Sequence, residues 1–163
     1  MSESSLQENL IRLVERGGVY YNIPGVSPQD VLANLVAAAP VPEAIDRTDL
    51  LKAVLEREAL MPTAVGNGIA LPHPRNPLVS DPSAQCISIG FLQRPVDWNA
   101  LDGKPVRTLI LIVSASPKLH LRTLSRISFL CQQESFRLLL ERRSSREEIV
   151  EAILAAEKEW NAQ

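Results

Sequence analysis

Apolar positions recur along this chain with two different spacings, and the spacing changes every dozen residues or so. Leu6, Leu10, Leu13 and Val14 share one helical face, and Gly17-Gly18 stops that helix. Val19 to Ile23 is β-branched and aromatic, which predicts a first strand. Ser27-Pro28-Gln29-Asp30 reads as a helix start: a capping hydroxyl, a first-turn proline, then an acid. Val31, Leu32, Leu35 and Val36 form its buried stripe, and Pro40-Val41-Pro42 ends it. Asp46 opens another helix, with Leu50, Leu51, Val54 and Leu55 facing inward and Arg57-Glu58 near its carboxyl end.

Pro62 to Gly68 then reads as a loop with two glycines. Ile69-Ala70-Leu71 is a short buried strand that runs into Pro72-His73-Pro74, and residues 75–85 form a second loop. Cys86 to Leu92 predicts a strand, and Asp102-Gly103-Lys104-Pro105 a turn. Val106 to Ser114 is almost continuously apolar, which suits a central strand buried on both faces. Ser116-Pro117 starts a helix with Leu121, Leu124, Ile127 and Leu130 as its expected core stripe. Ser135 to Glu141 predicts a short helix, and Ser144-Ser145-Arg146-Glu147 a capping box for a last helix through about Trp160. This alternation specifies an α/β fold, one sheet covered by helices on both faces. Residues 1–17 read as a helical arm or linker, and residues 18–163 as a single domain.

Composition narrows the function. A chain of 163 residues buries roughly 70% of its unfolded surface, so it needs no disulfide or metal staple. Net charge −2 argues against a phosphate-driven nucleic-acid binder. Arg137, Arg142, Arg143 and Arg146 cluster, but Glu141, Glu147 and Glu148 interleave with them, which reads as a solvated face. The apolar run Thr108–Ala115 is shorter than the about 20 residues a membrane span needs. The polar start, Met1-Ser2-Glu3-Ser4-Ser5, predicts no secretory leader. Cys86 and Cys131 sit in apolar segments without CxxC spacing, so they read as reduced core residues of a cytoplasmic protein.

The chain has two histidines. His73 follows a strand, and His120 lies in the first turn after the central strand. Ligands in open α/β sheets collect at the carboxyl ends of strands, so the two rings have a place to meet. The amides that start the helix at Pro117 favour an anion. Gly66 and Gly68 permit close backbone approach, Thr63 offers a hydroxyl, and Arg57 a guanidinium fork. Each residue also has a plain structural reading. His73 could be a core or surface residue, and His120 a solvated one. The glycines could simply turn the chain, and Arg57 could be a solvated helix-end charge. Two histidines alone give too few ligands for a zinc site, which usually takes three from the protein. No metal or cofactor is expected.

The run Arg57-Glu58-Ala59-Leu60-Met61-Pro62-Thr63-Ala64-Val65-Gly66-Asn67-Gly68-Ile69-Ala70-Leu71-Pro72-His73 resembles the phosphorylation-site segment of the fructose/mannitol-type EIIA domain of the bacterial phosphoenolpyruvate-dependent phosphotransferase system. His120-Leu121-Arg122-Thr123-Leu124 resembles a second signature of that family, and Asp102-Gly103-Lys104-Pro105-Val106 also fits. The likeness runs in order over roughly residues 19–155.

The resemblance implies a mixed sheet between helices, with His73 as phosphoryl acceptor from an HPr-like carrier protein. His120 would orient the His73 ring or donate to the phosphoryl oxygens, and Arg57 would neutralise their charge. Thr63 and the amides near Gly66 and Gly68 would complete the cradle. Transfer would run in line, by positioning and electrostatics, without a metal. The downstream partner would be an EIIB domain or a regulatory target such as a transporter, kinase or transcription factor. Direct nucleic-acid binding and membrane insertion are not implied. Pro62 stands where the family usually has Ser or Thr, and Pro74 where many members have a small residue. Gly17-Gly18-Val19-Tyr20-Tyr21 looks more like EIIA domains attached behind a DNA-binding module, whose linker the arm would be. That favours regulation, in the manner of the nitrogen-regulatory branch. The alternatives are a signalling adaptor switched by His73 phosphorylation, and fructose/mannitol-type sugar uptake.

Overall fold

Most helices in this chain begin where a side chain can accept from their free amides. The computed structural model describes residues 9–161. Asn9 accepts from the Arg12 amide at the start of α1 (Leu10–Gly17). Ser27 caps α2 (Pro28–Ala38), and Asp46 caps α3 (Arg47–Leu60) through the Thr48 and Asp49 amides. Ser116 caps α4 (Pro117–Gln132). The short α5 (Glu134–Glu141) has no side-chain cap. Each such cap is worth about 1 kcal/mol.

For α6 (Arg146–Asn161) the cap lies one residue beyond the expected Ser144. Ser145 Oγ accepts from the Glu148 amide at 3.2 Å, and the Glu148 carboxylate reaches back to Ser145. Ser144 is instead buried, its carbonyl accepting from the Tyr21 hydroxyl at 2.6 Å.

The strands are β1 (Val19–Ile23), β2 (Ala64–Gly66), β3 (Ile69–Ala70), β4 (Cys86–Val96) and β5 (Val106–Val113). They form one mixed sheet in the order β1-β4-β5-β3-β2. β5 is central as its apolar run predicts, antiparallel to β4 and parallel to β3. β2 lies inside the segment read as a loop, and β4 runs past Leu92 through a register shift between Phe91 and Val96. Asn67 and Gly68 both have positive φ, 58° and 80°, and turn β2 into β3. Asn-Gly is the pair that such a tight hairpin favours.

Helices cover both faces. On one side α2 and α3 bury Val31, Leu32, Leu35, Leu50 and Val54 against Leu109, Leu111 and Val113 of β5. On the other, Ile110 and Ile112 of β5 pack with residues of α1, α4, α5 and α6. In α4 the buried residues are Thr123, Ile127, Leu130 and Cys131. Leu121, expected in the core stripe, is 64% exposed. A spacing of three drifts back about 60° around a helix at each step, so 121, 124, 127 and 130 cannot share one face.

Leu10, Leu13 and Val14 of α1 are buried in this second cluster, and Leu10 donates its amide to the buried Glu157 carboxylate of α6. Gly17 passes so close to β4 that an added Cβ would lie 1.9 Å from the Ile87 carbonyl oxygen. Residues 9–17 of the segment read as an arm thus contribute three core side chains. Leu6 and the rest of residues 1–8 lie outside the described residues. No helix among the described residues is long and apolar enough to cross a membrane.

Candidate functional site

Two parallel neighbours, β3 and β5, deliver both histidines to one end of the sheet. After β3 the chain continues in register for two more residues, and the Pro72 carbonyl accepts from the Ile112 amide of β5. His73 follows at once, so its backbone is tied to the central strand. After β5, Ser116 and Pro117 start α4, and His120 closes the first helical turn by donating its amide to the Ser116 carbonyl. The two imidazole centroids lie 4.5 Å apart, with the rings inclined at 41°.

His73 is 8% exposed. Its Nδ1 lies 2.8 Å from the Leu71 carbonyl oxygen. A carbonyl can only accept, so Nδ1 carries the proton and Nε2 holds the free lone pair. Burial holds the His73 pKa below its ordinary value; the Leu71 bond opposes that and the Arg57 charge adds to it. His120 is depressed further, to about 4, by burial first and then by the His73 and Arg57 charges. Both rings are therefore neutral near pH 7, which leaves His73 the lone pair a nucleophile needs and His120 one ring N–H to donate.

Arg57 stands in the last turn of α3 and donates from Nη1 to the Met61 carbonyl at 2.8 Å. That bond closes the helix end and points the chain toward Thr63. It uses one of five guanidinium N–H groups, and the Arg57 charge is felt at both histidines.

Thr63 is buried, and its amide and hydroxyl both donate to the Glu58 carboxylate, at 3.0 and 2.6 Å. The Trp98 indole N–H donates to the same carboxylate. In this arrangement the Thr63 proton is directed at Glu58, and the Thr63 carbonyl pairs with the Leu71 amide beside His73. Glu58 was missed as a site residue, although the sequence carries a signal. An acid in the last turn of a helix opposes the macrodipole, which points to a tertiary partner.

Gly66 and Gly68 lie elsewhere. They sit at the amino end of β3, whereas His73 follows its carboxyl end. The Gly68 carbonyl accepts from the Arg107 and Thr108 amides, and Asp102 Oδ2 accepts from Asn67 beside Gly66. Their positive φ values serve the hairpin turn. The structure thus gathers His73, His120 and Arg57, places Thr63 beside them through the Leu71 pairing, and sets the two glycines at the far end of the strand. The anion-favouring amides close to the histidines belong to α4. There Ser116 Oγ takes the Leu119 amide, and Lys118 has no intrahelical acceptor. Among the described residues no group of three or more His, Cys, Asp or Glu stands together as a metal site.

This arrangement has relatives. The profile of the family "Phosphoenolpyruvate-dependent sugar phosphotransferase system, EIIA 2" matches residues 12–156. A nitrogen regulatory protein of Pseudomonas aeruginosa is 35% identical over 133 residues, 78% of this chain and 83% of that protein. The fructose-specific EIIABC component of Bacillus subtilis is 29% identical over 88% of this chain, which spans only 23% of that longer protein. Among solved structures, the nitrogen regulatory protein IIA-Ntr of Neisseria meningitidis superposes with a TM-score of 0.72 at 25% identity, covering 88% of this chain and 94% of that one. The IIA mannitol structure of Escherichia coli shares the fold, with a TM-score of 0.57 at 20% identity over 83% of this chain and 94% of that one. With its mixed sheet and this match over most of its length, the chain belongs to the EIIA type 2 family of the phosphotransferase system, the phosphocarrier family that includes the nitrogen-regulatory proteins.

Proposed function

We propose that His73 is the phosphoryl acceptor of this chain, and that the chain relays the group for regulation. The observation that carries this is the pairing of a neutral His73, its Nδ1 proton held by the Leu71 carbonyl, with His120 4.5 Å away. Nε2 of His73 attacks the phosphorus of a phosphohistidine on an HPr-like donor protein. The donor's P–N bond breaks as the new P–N bond forms, and the donor imidazole leaves with the electron pair. Nδ1 keeps its proton, so no external acid or base is needed. Positive charge grows on the His73 ring, and the Leu71 carbonyl dipole stabilises it.

His120 donates its ring N–H to an equatorial phosphoryl oxygen. Arg57 adds positive charge on the same side, and the α4 amino terminus adds its dipole. Thr63 acts through Glu58 and its carbonyl pairing with Leu71, holding the segment that carries His73. The exposed side chains of Met61 and Leu121, neighbours of this machinery in the chain, offer apolar contact to a partner protein. Discharge goes to an EIIB domain or to a regulatory target. The likeness to a nitrogen regulatory protein over four-fifths of its length supports the regulatory reading. A cytoplasmic setting follows from the donor.

The test is incubation with the general phosphotransferase proteins and phosphoenolpyruvate, followed by intact-mass measurement. Wild type gains one acid-labile phosphoryl group and His73→Ala gains none. An unmodified wild-type chain, or equal labelling of the variant, refutes the assignment.

A further inference from the structure

A cavity of about 420 Å³ opens away from the histidine pair, beside the β2–β3 turn. Its floor is a row of three side chains on one face of the sheet. Thr108 of β5 is registered with Ile69 of β3 on one side and Phe91 of β4 on the other. All three are buried, and all three line the cavity.

Four cations surround this floor. Lys104 and Arg107 come from the start of β5 and the turn before it, Arg137 from α5, and Arg143 from the turn after α5. Arg137 donates from Nη1 to the Gln132 carbonyl at 2.8 Å, and Arg143 from Nη2 to the Leu92 carbonyl at 3.3 Å. These bonds fix the two guanidinium groups without neutralising them. No carboxylate among the described residues bonds any of the four. Glu141 is the one acid in the lining, and Asp102, near Lys104, is engaged with the Asn67 and Lys104 amides.

A separate observation points to a ligand. Thr108 is 97% buried, being 3% exposed, and its hydroxyl makes no hydrogen bond to any described residue. It lines the cavity. No buried side-chain oxygen or nitrogen among the described residues is left without a partner, so this hydroxyl opens into the cavity and is available to a molecule bound there. The cavity volume falls within the range of small-molecule sites. Cations contributed from β5 and from α5 suit an anion that carries more than one charge, as a phosphoryl group does.

We propose that this cavity binds a small phosphorylated molecule, held by Arg107, Arg137 and the Thr108 hydroxyl, at a site separate from the phosphoryl-accepting pair. This goes beyond the phosphocarrier reading and does not depend on it. Residence there would join β5 to α5, and β5 leads directly into the helix that carries His120.

The test uses the unphosphorylated full chain, titrated with pyrophosphate, ribose 5-phosphate and inorganic phosphate in separate arms, followed by amide NMR. Saturable shifts are expected at residues 67–69, 107–108 and 137–143. The arms distinguish an ester, a diphosphate and the free ion as the preferred source. The pair Arg107→Gln with Arg137→Gln should weaken binding at least tenfold, and Thr108→Val should weaken it with the remaining spectrum unchanged. His73→Ala should bind as wild type does, so loss of phosphoryl transfer and loss of this site are separate results. The proposal is overturned if none of the three probes saturates, or if both arginine replacements leave affinity unchanged. Competition by an acidic peptide that binds where none of the three does would also overturn it, in favour of a protein-docking surface.

Discussion

The imidazoles of His73 and His120 lie 4.5 Å apart, and burial is the main cause that lowers the basicity of both, with the Arg57 charge adding to it and Glu58 opposing it only at His73. A neutral pair is suited to receive a dianion: one ring supplies a lone pair and the other a proton donor. The same neutrality makes the charge state of His120 a reporter of phosphorylation. In the unphosphorylated chain His120 titrates near pH 4. A phosphoryl dianion on His73 is an opposite charge within a few ångströms and favours the protonated ring. Ring-proton NMR should show the His120 midpoint moving upward on phosphorylation. An unchanged midpoint would mean that His120 does not contact the phosphoryl group.

Replacing His120 should slow transfer without removing the acceptor. His120→Ala is expected to lower the rate of His73 phosphorylation by about 10²–10³, the usual loss for one transition-state donor. The readout is the rate in a rapid-quench experiment at fixed donor concentration. The final stoichiometry should still reach one group per chain. A variant as fast as wild type removes His120 from the mechanism.

The depressed histidines also set a pH dependence of stability. His120 binds its proton near 6.5 in the unfolded chain and near 4 in the folded one. As pH falls from about 6.5 toward 4, the unfolded state takes up a proton that the folded state refuses, so stability falls. Above 6.5 the term is constant. His73 acts in the same direction. Urea unfolding at pH 7 and pH 5 should show a larger loss for wild type than for His120→Asn. Equal losses would contradict the sign.

Glu58 accepts from the Thr63 amide, the Thr63 hydroxyl and the Trp98 indole, and so ties the end of α3 to the strand before His73. Glu58→Ala leaves the buried Trp98 and Thr63 donors without their acceptor and should cost about 2–4 kcal/mol. Glu58→Gln keeps one accepting oxygen and should cost less. Chemical denaturation measures both. Equal midpoints for Ala and wild type would remove Glu58 from the packing of the site.

Cys86 and Cys131 are buried, and burial pushes their thiols up to about 11 and about 12. Neither forms a thiolate at neutral pH, so native protein should react with a thiol reagent only at the rate of unfolding. Complete labelling within minutes under native conditions would show that one of them is reachable.

Gly17 tests how α1 is held. An added methyl would meet the Ile87 carbonyl carbon at 2.2 Å and the oxygen at 1.9 Å, and backbone cannot move aside as a side-chain tip can. Gly17→Ala should cost about 3 kcal/mol or more, read by thermal or urea unfolding. A neutral effect would mean that α1 can lift from the sheet freely.

Much of this was legible before any coordinates. Ser27-Pro28 and Ser116-Pro117 mark helix starts because a capping hydroxyl and a proline fixed in φ act locally. The apolar run of β5 marks the central strand because only a strand covered on both faces can carry it. Two readings failed although the deciding sign was local. β2 is three residues long and has no alternation to show; its Asn67-Gly68 turn was the available sign. Leu121 was placed in the core by a spacing that drifts around the helix.

The order of residues determined which groups were available: an imidazole after a short strand, another in the first turn of a capped helix, a cation at a helix end. Those are local facts, carried by propensity, capping and hydrophobic period. Tertiary structure decided which of them meet. Because β3 lies parallel to β5, their carboxyl ends coincide, and His73 and His120 become neighbours while Gly66 and Gly68 remain at the other end. Strand direction is set by packing on both faces of the sheet, and no short stretch of the chain records it.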